Sequence, residues 1–399
     1  MKPNYKSTVH SCYLGYITQA IVNSLAPLFF VIFQKNFHLS LTLISQLVML
    51  NFGTQLIVDA VSVKLVDRIG YRASALIAHV AAAAGLICMG TLPGILPSPF
   101  AGLVISVILY AIGGGLLEVI VSPIVESLPG DDKASAMSLL HSFYCWGVVG
   151  VVAISTLFLK AAGNDLWYIL PICWALIPVY NFFRFLKVPL MPCVSENERT
   201  PLRSLLHSPV FLLALLLMFC AAGSEQSMSQ WSSLFAEEGL HVPKLIGDLL
   251  GPCLFSVFMG LSRLIYGIYG ERLNLSLALK GSAVLCIFCY LGAALSPFPL
   301  LSLASCALTG FSVGLLWPGT FSLTAATFPK GGTAMFGLMA LMGDFGCGSG
   351  PWLTGLIADS SSLKTGLLFS IIFPIGMLAG VILMDRLARK ERVSNKRPS

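Results

Sequence analysis

Twelve apolar runs, each long enough to cross a bilayer, leave this chain little choice of fold. Spanning the hydrocarbon as a helix takes about 20 predominantly apolar residues. The helix satisfies its own backbone polar groups there, where no water can do so. The runs extend over Val9 to Phe33, Leu43 to Val66, Ser74 to Leu92, Phe100 to Leu128, Ala134 to Leu159 and Leu166 to Phe185. They continue over Pro209 to Leu234, Ile246 to Tyr269, Leu275 to Leu295, Leu300 to Phe328, Thr333 to Ala358 and Gly366 to Leu387. Only 11% of the residues are charged, against about 25% in an ordinary globular domain. The expected fold class is therefore an all-α membrane protein crossing the bilayer many times. The first run is too long for a signal-peptide core and no small-residue cleavage site follows it, so it reads as a retained helix.

With both termini in the cytoplasm, 20 of the 24 Lys and Arg residues, Arg263 among them, fall in inner loops and tails. The other four, Lys35, Lys160, Lys244 and Lys364, fall outside. That asymmetry fixes the orientation and points to a cell membrane, plasma or inner. It also accounts for the formal net charge of +6 without any nucleic acid, because a basic tail lies where anionic lipid attracts it. The 11 cysteines sit almost entirely within the runs and show no paired spacing, so they read as small apolar packing residues. No metal-ligand cluster appears, and no cofactor is expected.

Between the sixth and seventh runs the chain turns polar from Pro189 to His207. The expected organisation is thus a six-helix bundle over 1–188, a cytoplasmic linker over 189–207 and a second bundle over 208–399 with a short basic tail. The halves echo each other. Gly115-Leu-Leu-Glu118 corresponds to Gly314-Leu-Leu-Trp317, both segments reach a turn at Pro129 and Pro329, and both then enter an Ala-Met pair, Ala136-Met137 and Ala334-Met335. The offset is 199 residues at the first pair and 198 at the last. Internal duplication with a site at the repeat interface is how many secondary carriers are built.

The informative residues are polar ones inside these runs. Glu118, Glu225 and Asp344 each sit where a charge costs roughly 3 kcal/mol to insert, so each should face a water-filled path or a partner. Glu118 shares a face with Ser122 one turn on and follows Gly113-Gly-Gly115, which permits close helix approach. It reads either as a proton site, since desolvation favours the protonated form of a carboxyl, or as an internal lock between two helices. Glu225 and Gln226 open a polar strip that runs through Ser229 and Gln230 to Trp231, an inventory suited to a polyhydroxylated ligand or to interhelical hydrogen bonds. Gln19 and Asn23 form a similar pair on the first run and are assigned to a cavity. Asn51, Gln55 and Asp59 form a stripe on the second, read as support for a cytoplasmic gate near Asp59. Asp344, amid glycines, reads equally as a second proton site or an inter-helix bond. His141, Tyr144, Trp231 and Trp317 read as ligand contacts or packing, and His79 as structural. Asp67, Arg68 and Arg72, at the turn between the second and third runs, and Arg263 in the matching place of the second half, read as gate latches or as ordinary positive-inside loops.

Asp67-Arg-Ile-Gly70 together with twelve spans resembles the major facilitator superfamily, although Val63 stands where that motif usually has glycine. Gly113-Gly-Gly-Leu-Leu-Glu118 with Ser122-Pro123, Leu139-Leu-His141 through Gly147, Gly223-Ser-Glu225 with Trp231, and Trp317-Pro-Gly-Thr-Phe-Ser-Leu323 resemble its fucose and glucose/galactose permease branch. The resemblance implies proton-coupled sugar symport with Glu118 as the protonatable glutamate of the fourth helix. A second carboxylate of the first helix would fall at Asn23, which carries no proton, and Glu225 or Asp344 are the residues that would compensate. The branch's fourth-helix asparagine is Ser122 here, and its fifth-helix glutamine is His141.

The reading is thus a major facilitator fold of twelve transmembrane helices in two pseudo-symmetric six-helix bundles, with a central cavity lined from helices 1, 4, 5, 7, 10 and 11. The expected function is monomeric, proton-linked uptake of a sugar or polyol, with no enzymatic activity. The rival is proton-driven efflux of an amphipathic organic compound. Gly147-Val-Val-Gly150 lacks the proline that drug antiporters of this superfamily usually carry there.

Overall fold

The computed structural model describes residues 5–39, 41–129, 133–191, 202–236 and 249–394, and every regular element among them is helical. The chain opens with α1 (Lys6–Leu28), α2 (Phe30–Phe37) and α3 (Leu41–Ile95), followed by α4 (Pro99–Ser127), α5 (Lys133–Ala162), α6 (Ile169–Trp174) and α7 (Leu176–Lys187). It continues with α8 (Leu202–His207), α9 (Pro209–Leu234), α10 (Leu254–Tyr269), α11 (Leu275–Leu295), α12 (Pro299–Val313) and α13 (Leu316–Thr327). It ends with α14 (Gly332–Ser360), α15 (Leu363–Phe369) and α16 (Ile372–Ser394). Most of the expected linker, the start of the eighth run at Ile246, the side chain of Lys64 and the tail beyond residue 394 lie outside the described residues.

Each of the twelve expected runs is mostly helical where it is described, with short breaks in the first, sixth, tenth and twelfth, as at Phe29, Ala175, Leu315 and Ser370. Nine helical stretches among the described residues are long and apolar enough to cross a membrane. Among helices described along their length, α1 and α14 are less apolar than these; they carry Gln19 with Asn23, and Asp344 among glycines.

Helix starts follow local chemistry. Ser98 and Ser208 each cap with the side-chain oxygen, accepting from Ala101 N and Phe211 N, and each is followed by a proline at the first helical position, where its missing N–H is no loss. The turn inside α3 differs from expectation. Gly70 alone makes it, at φ 81° and ψ 162°, a region glycine enters without steric cost. Asp67 and Arg68 are therefore helical residues before the turn, and no loop separates the two halves of α3.

The chain divides into two compact units. The first comprises Met1–Gly130, Phe143–Asn197 and Gly332–Gly337; the second comprises Asp131–Ser142, Glu198–Gly331 and Leu338–Ser399. Within the first, α4 packs on α1 and α3, and α7 packs on the same two helices. Within the second, α12 packs on α9, α10 and α11, and α16 packs on α9 and α11. The packing scheme is built twice.

Glycines set the distances. A Cβ at Gly113 would lie 2.6 Å from Ala78 O, one at Gly114 2.9 Å from the Val22 side chain, and one at Gly115 3.1 Å from Gln55 Cα. One turn of α4 thereby touches α1 and both halves of α3. In the second unit, Gly310 meets the Phe255 carbonyl and Gly314 meets Ser262 and Met259 in the same manner. The exterior is apolar, with Leu300 80% and Met49 73% exposed, and Gln19, Gln55, Asp59, Glu118 and Glu225 are buried. That inside-out distribution fits lipid as the surrounding solvent.

Candidate functional site

In the first unit, α1, α3 and α4 bring together most of the polar residues expected there. Gln19 Nε2 donates to Glu118 Oε2. Glu118 is 8% and Gln19 4% exposed, so a carboxylate and a neutral amide share a nearly dry environment. Gln19 Oε1 has no hydrogen-bond partner. One turn along α1, Asn23 Oδ1 accepts from both Asn51 Nδ2 at 3.2 Å and Gln55 Nε2 at 2.9 Å. The stripe expected to support a gate is therefore joined to the first-helix pair expected in the cavity, while Asp59 lies buried one turn beyond Gln55. Ser122 is fully buried and its hydroxyl lies 3.0 Å from Tyr16 OH. Gln19, Tyr16 and Asn23 are spaced three or four residues apart, so a single face of α1 carries all three contacts.

The second unit has a different centre. Arg263, only 3% exposed, donates from NH2 to Glu225 Oε2 at 3.1 Å, from Nε to Gly314 O at 2.8 Å and from NH1 to His141 O at 3.1 Å. Its own carbonyl accepts from Ser138 Oγ at 2.8 Å. Arg263 thus joins α10 to α9, to the start of α5 and to the glycine that ends α12. The expectation that Arg263 sits with the basic residues of a cytoplasmic loop is corrected: it lies inside a helix, held there by a carboxylate that removes the cost of its isolated charge.

Aromatic rings line up beside this node. The His141 and Phe321 rings stack with centroids 5.9 Å apart, and Phe321 meets Trp317 edge-on at 6.2 Å. Trp317 in turn rests on Gly343, where a Cβ would run into its indole, next to the half-buried Asp344. Trp231 donates its indole N–H to Pro351 O at 2.9 Å and lies over Gly355, so that donor fastens α9 to α14. Gln226 is half-buried and accepts from Gln230 Nε2 at 3.3 Å along the same helix. Tyr144 is half-buried in α5.

Among the residues expected to latch a gate, Arg72 is engaged within its own unit. It donates from NH1 to Phe185 O at 2.5 Å and Leu186 O at 2.8 Å, and from NH2 to Val188 O at 2.9 Å. A guanidinium there closes the carbonyl end of α7. Asp67 is half-buried and Arg68 exposed. His79, read as structural, is fully buried, with Nδ1 2.6 Å from Ala75 O and Nε2 2.8 Å from Asn181 Nδ2.

A family model described as Major Facilitator Superfamily matches residues 12–332 and 252–399. The chain belongs to the major facilitator superfamily. As a member it is a multi-pass membrane transporter. No curated protein sequence is significantly similar to it. Solved structures of the fold are: FucP in the outward conformation superposes with a TM-score of 0.81 at 14% identity, covering 94% of this chain and 98% of that one. The Escherichia coli fucose:proton symporter FucP, in a variant form, gives 0.80 at 14% over the same shares. The proton:xylose symporter XylE bound to 6-bromo-6-deoxy-D-glucose gives 0.81 at 12%, covering 95% of each chain. At such identities the likeness establishes the fold.

Sequence reasoning missed two participants in this facilitator, Tyr16 and Phe321, and the partner of a third, Arg263. Tyr16 was available as a polar ring one turn from Gln19, and Phe321 as an aromatic one turn from Trp317. Arg263 was visible as a lone cation inside the apolar run that ends at Tyr269. The signal overlooked was that an intramembrane arginine calls for an intramembrane acid, and Glu225 was already in view.

Proposed function

We propose that this facilitator performs proton-coupled symport of a sugar or sugar-like polyol by alternating access, with Glu118 as the proton site. The observation that carries the reading is the contact between the Glu118 carboxylate and the Gln19 amide. An amide can donate to the ionised carboxylate and, by presenting its oxygen, accept from the protonated one. Loading and unloading a proton thus leaves Glu118 with a partner in Gln19 in either state. Gln19 Oε1, buried with no hydrogen-bond partner, suits a donor arriving from a ligand hydroxyl.

The second unit contributes Gln226 and the His141, Phe321 and Trp317 rings as candidate ligand contacts, and Asp344 as a further candidate acid. Residues 1–188 and 208–399 act as the two moving halves, in a monomer of the cell membrane with both termini cytoplasmic. The resemblance of fold to symporters of fucose and xylose supports sugars as the first solutes to try. The test is counterflow with purified protein in liposomes against a panel of hexoses, pentoses and polyols, with internal pH recorded. Solute entry accompanied by internal acidification is the expected result. A flat response to every sugar beside proton-driven movement of an amphipathic organic cation would overturn the reading in favour of efflux.

A further inference from the structure

A cleft in the first unit lies outside the residues assigned to transport. It measures about 370 Å3 and is lined by Ser7, Tyr180, Phe183, Arg184, Lys187 and Val188, where α1 begins and α7 ends. We propose that this cleft binds the phosphate headgroup of an anionic phospholipid, with the acyl chains lying along the outer face of α7.

Charge complementarity is the first argument. Arg184 and Lys187 occupy the last turn of α7, and among the described residues no carboxylate forms an ion pair with either. Arg184 is held in place by bonds from Nε to Ser11 Oγ and from NH2 to Ser7 O, both 3.0 Å, and lies 5.9 Å from the centre of the Tyr180 ring. Two of its five N–H groups are thereby used, and the rest remain for a phosphate oxygen. A helix carbonyl end ordinarily repels an anion, but Arg72 covers the Phe185, Leu186 and Val188 carbonyls. The rim is also fixed by Thr8 Oγ1 donating to Pro189 O at 2.5 Å.

The second argument separates a lipid from a free anion. Leu176, Val179, Tyr180, Phe183 and Leu186 are 66%, 37%, 57%, 59% and 45% exposed. Their spacing puts them on one strip of α7 that runs into the cations. A cationic end on an apolar strip, with a tyrosine at the join, matches a phospholipid lying across the membrane interface.

The experiment is native mass spectrometry of the purified, delipidated full-length chain titrated with phosphatidylglycerol, with phosphatidylcholine of the same acyl chains, and with inorganic phosphate. The expected outcome is preferential retention of phosphatidylglycerol, weakened roughly tenfold or more by Lys187→Glu and lowered also by Phe183→Ser. Lys187→Gln, expected to show a smaller loss of the same sign, serves if the charge reversal fails to fold. Equal binding of the two lipids, or a Lys187 variant binding as the parent does, would overturn the proposal. So would inorganic phosphate competing off the lipid while Phe183→Ser has no effect, because the site would then recognise a free anion.

Discussion

The two units bury their glutamates in opposite ways. In the first, Glu118 meets the neutral amide of Gln19; in the second, Glu225 meets the guanidinium of Arg263. Both acids are 8% exposed and both lie in helices long and apolar enough to cross a membrane, so burial does not distinguish them. The partner does. Adding a proton to an acid beside an amide takes no counter-charge from that amide. Adding a proton to an acid in a buried ion pair leaves a cation without its counter-charge, which is strongly destabilising. A repeated packing scheme has thus been fitted with one centre suited to changing its protonation and one suited to holding helices together.

The largest effect that would break this contrast is on coupling. Glu118→Gln keeps a side chain that can bond Gln19 but removes the proton. Concentrative uptake driven by a pH gradient in proteoliposomes is expected to fall to simple equilibration, while counterflow of the same solute continues. Melting in detergent should shift little, by about 1 kcal/mol or less, because one hydrogen bond is exchanged for another. Accumulation that persists in this variant would remove Glu118 from the proton path.

The same substitution in the other unit should do the reverse. Glu225→Gln, or Arg263→Met, leaves one charge of a buried pair unmatched and is expected to cost about 3–5 kcal/mol, read as a large drop in melting temperature and in folded yield. Replacing both residues, Glu225→Met with Arg263→Met, removes the charges together and should recover most of that loss. A single variant as stable as the parent would show that the pair is dispensable, and the contrast between the units would fail.

The unevenness of what sequence reveals follows the same division. The apolar runs and the burial of Glu118 and Gln19 were legible because each depends on local pattern or on one residue in the wrong solvent. That Gln19 faces Glu118, or that Asn51 and Gln55 both reach Asn23, depends on the rotation of α1 and α3 about their axes, which packing at Gly114 and Gly115 sets. Arg263 was misplaced because the positive-inside rule counts cations without regard to depth. The turn in α3 was expected near Gly70, but its compression to one residue rests on a backbone conformation that composition does not report.

A shared feature of the units can be probed at a smaller scale. Gly113→Ala and Gly310→Ala each place a methyl against backbone, at Ala78 O and the Phe255 carbonyl, and are expected to cost about 1–3 kcal/mol each as overpacking. Gly53→Ala and Gly150→Ala, whose added Cβ would have nothing within 4 Å, serve as controls and should leave the melting temperature unchanged or slightly raised. If Gly113→Ala were silent while Gly310→Ala was not, the two units would not share a packing scheme at the level of contact.

The smallest expected difference concerns two buried tyrosines. Tyr16 OH lies 3.0 Å from the Ser122 hydroxyl, while Tyr290 OH donates to the Ser224 carbonyl at 2.8 Å. Tyr290→Phe leaves a main-chain acceptor in a buried setting without that donor and is expected to cost about 1–1.5 kcal/mol. Tyr16→Phe leaves a hydroxyl, which can rotate to another acceptor, so its cost should be nearer 0.5 kcal/mol. Its functional consequence should exceed its structural one. Ser122 is one turn from Glu118, so a change at its Tyr16 partner acts beside the proposed proton site. Tyr16→Phe is therefore expected to change the KM for the transported solute more than the melting temperature, whereas Tyr290→Phe should do the opposite. Parallel melts and counterflow titrations of the two variants decide the matter, and identical behaviour in both assays would show that the first unit's polar cluster is as structural as the second's.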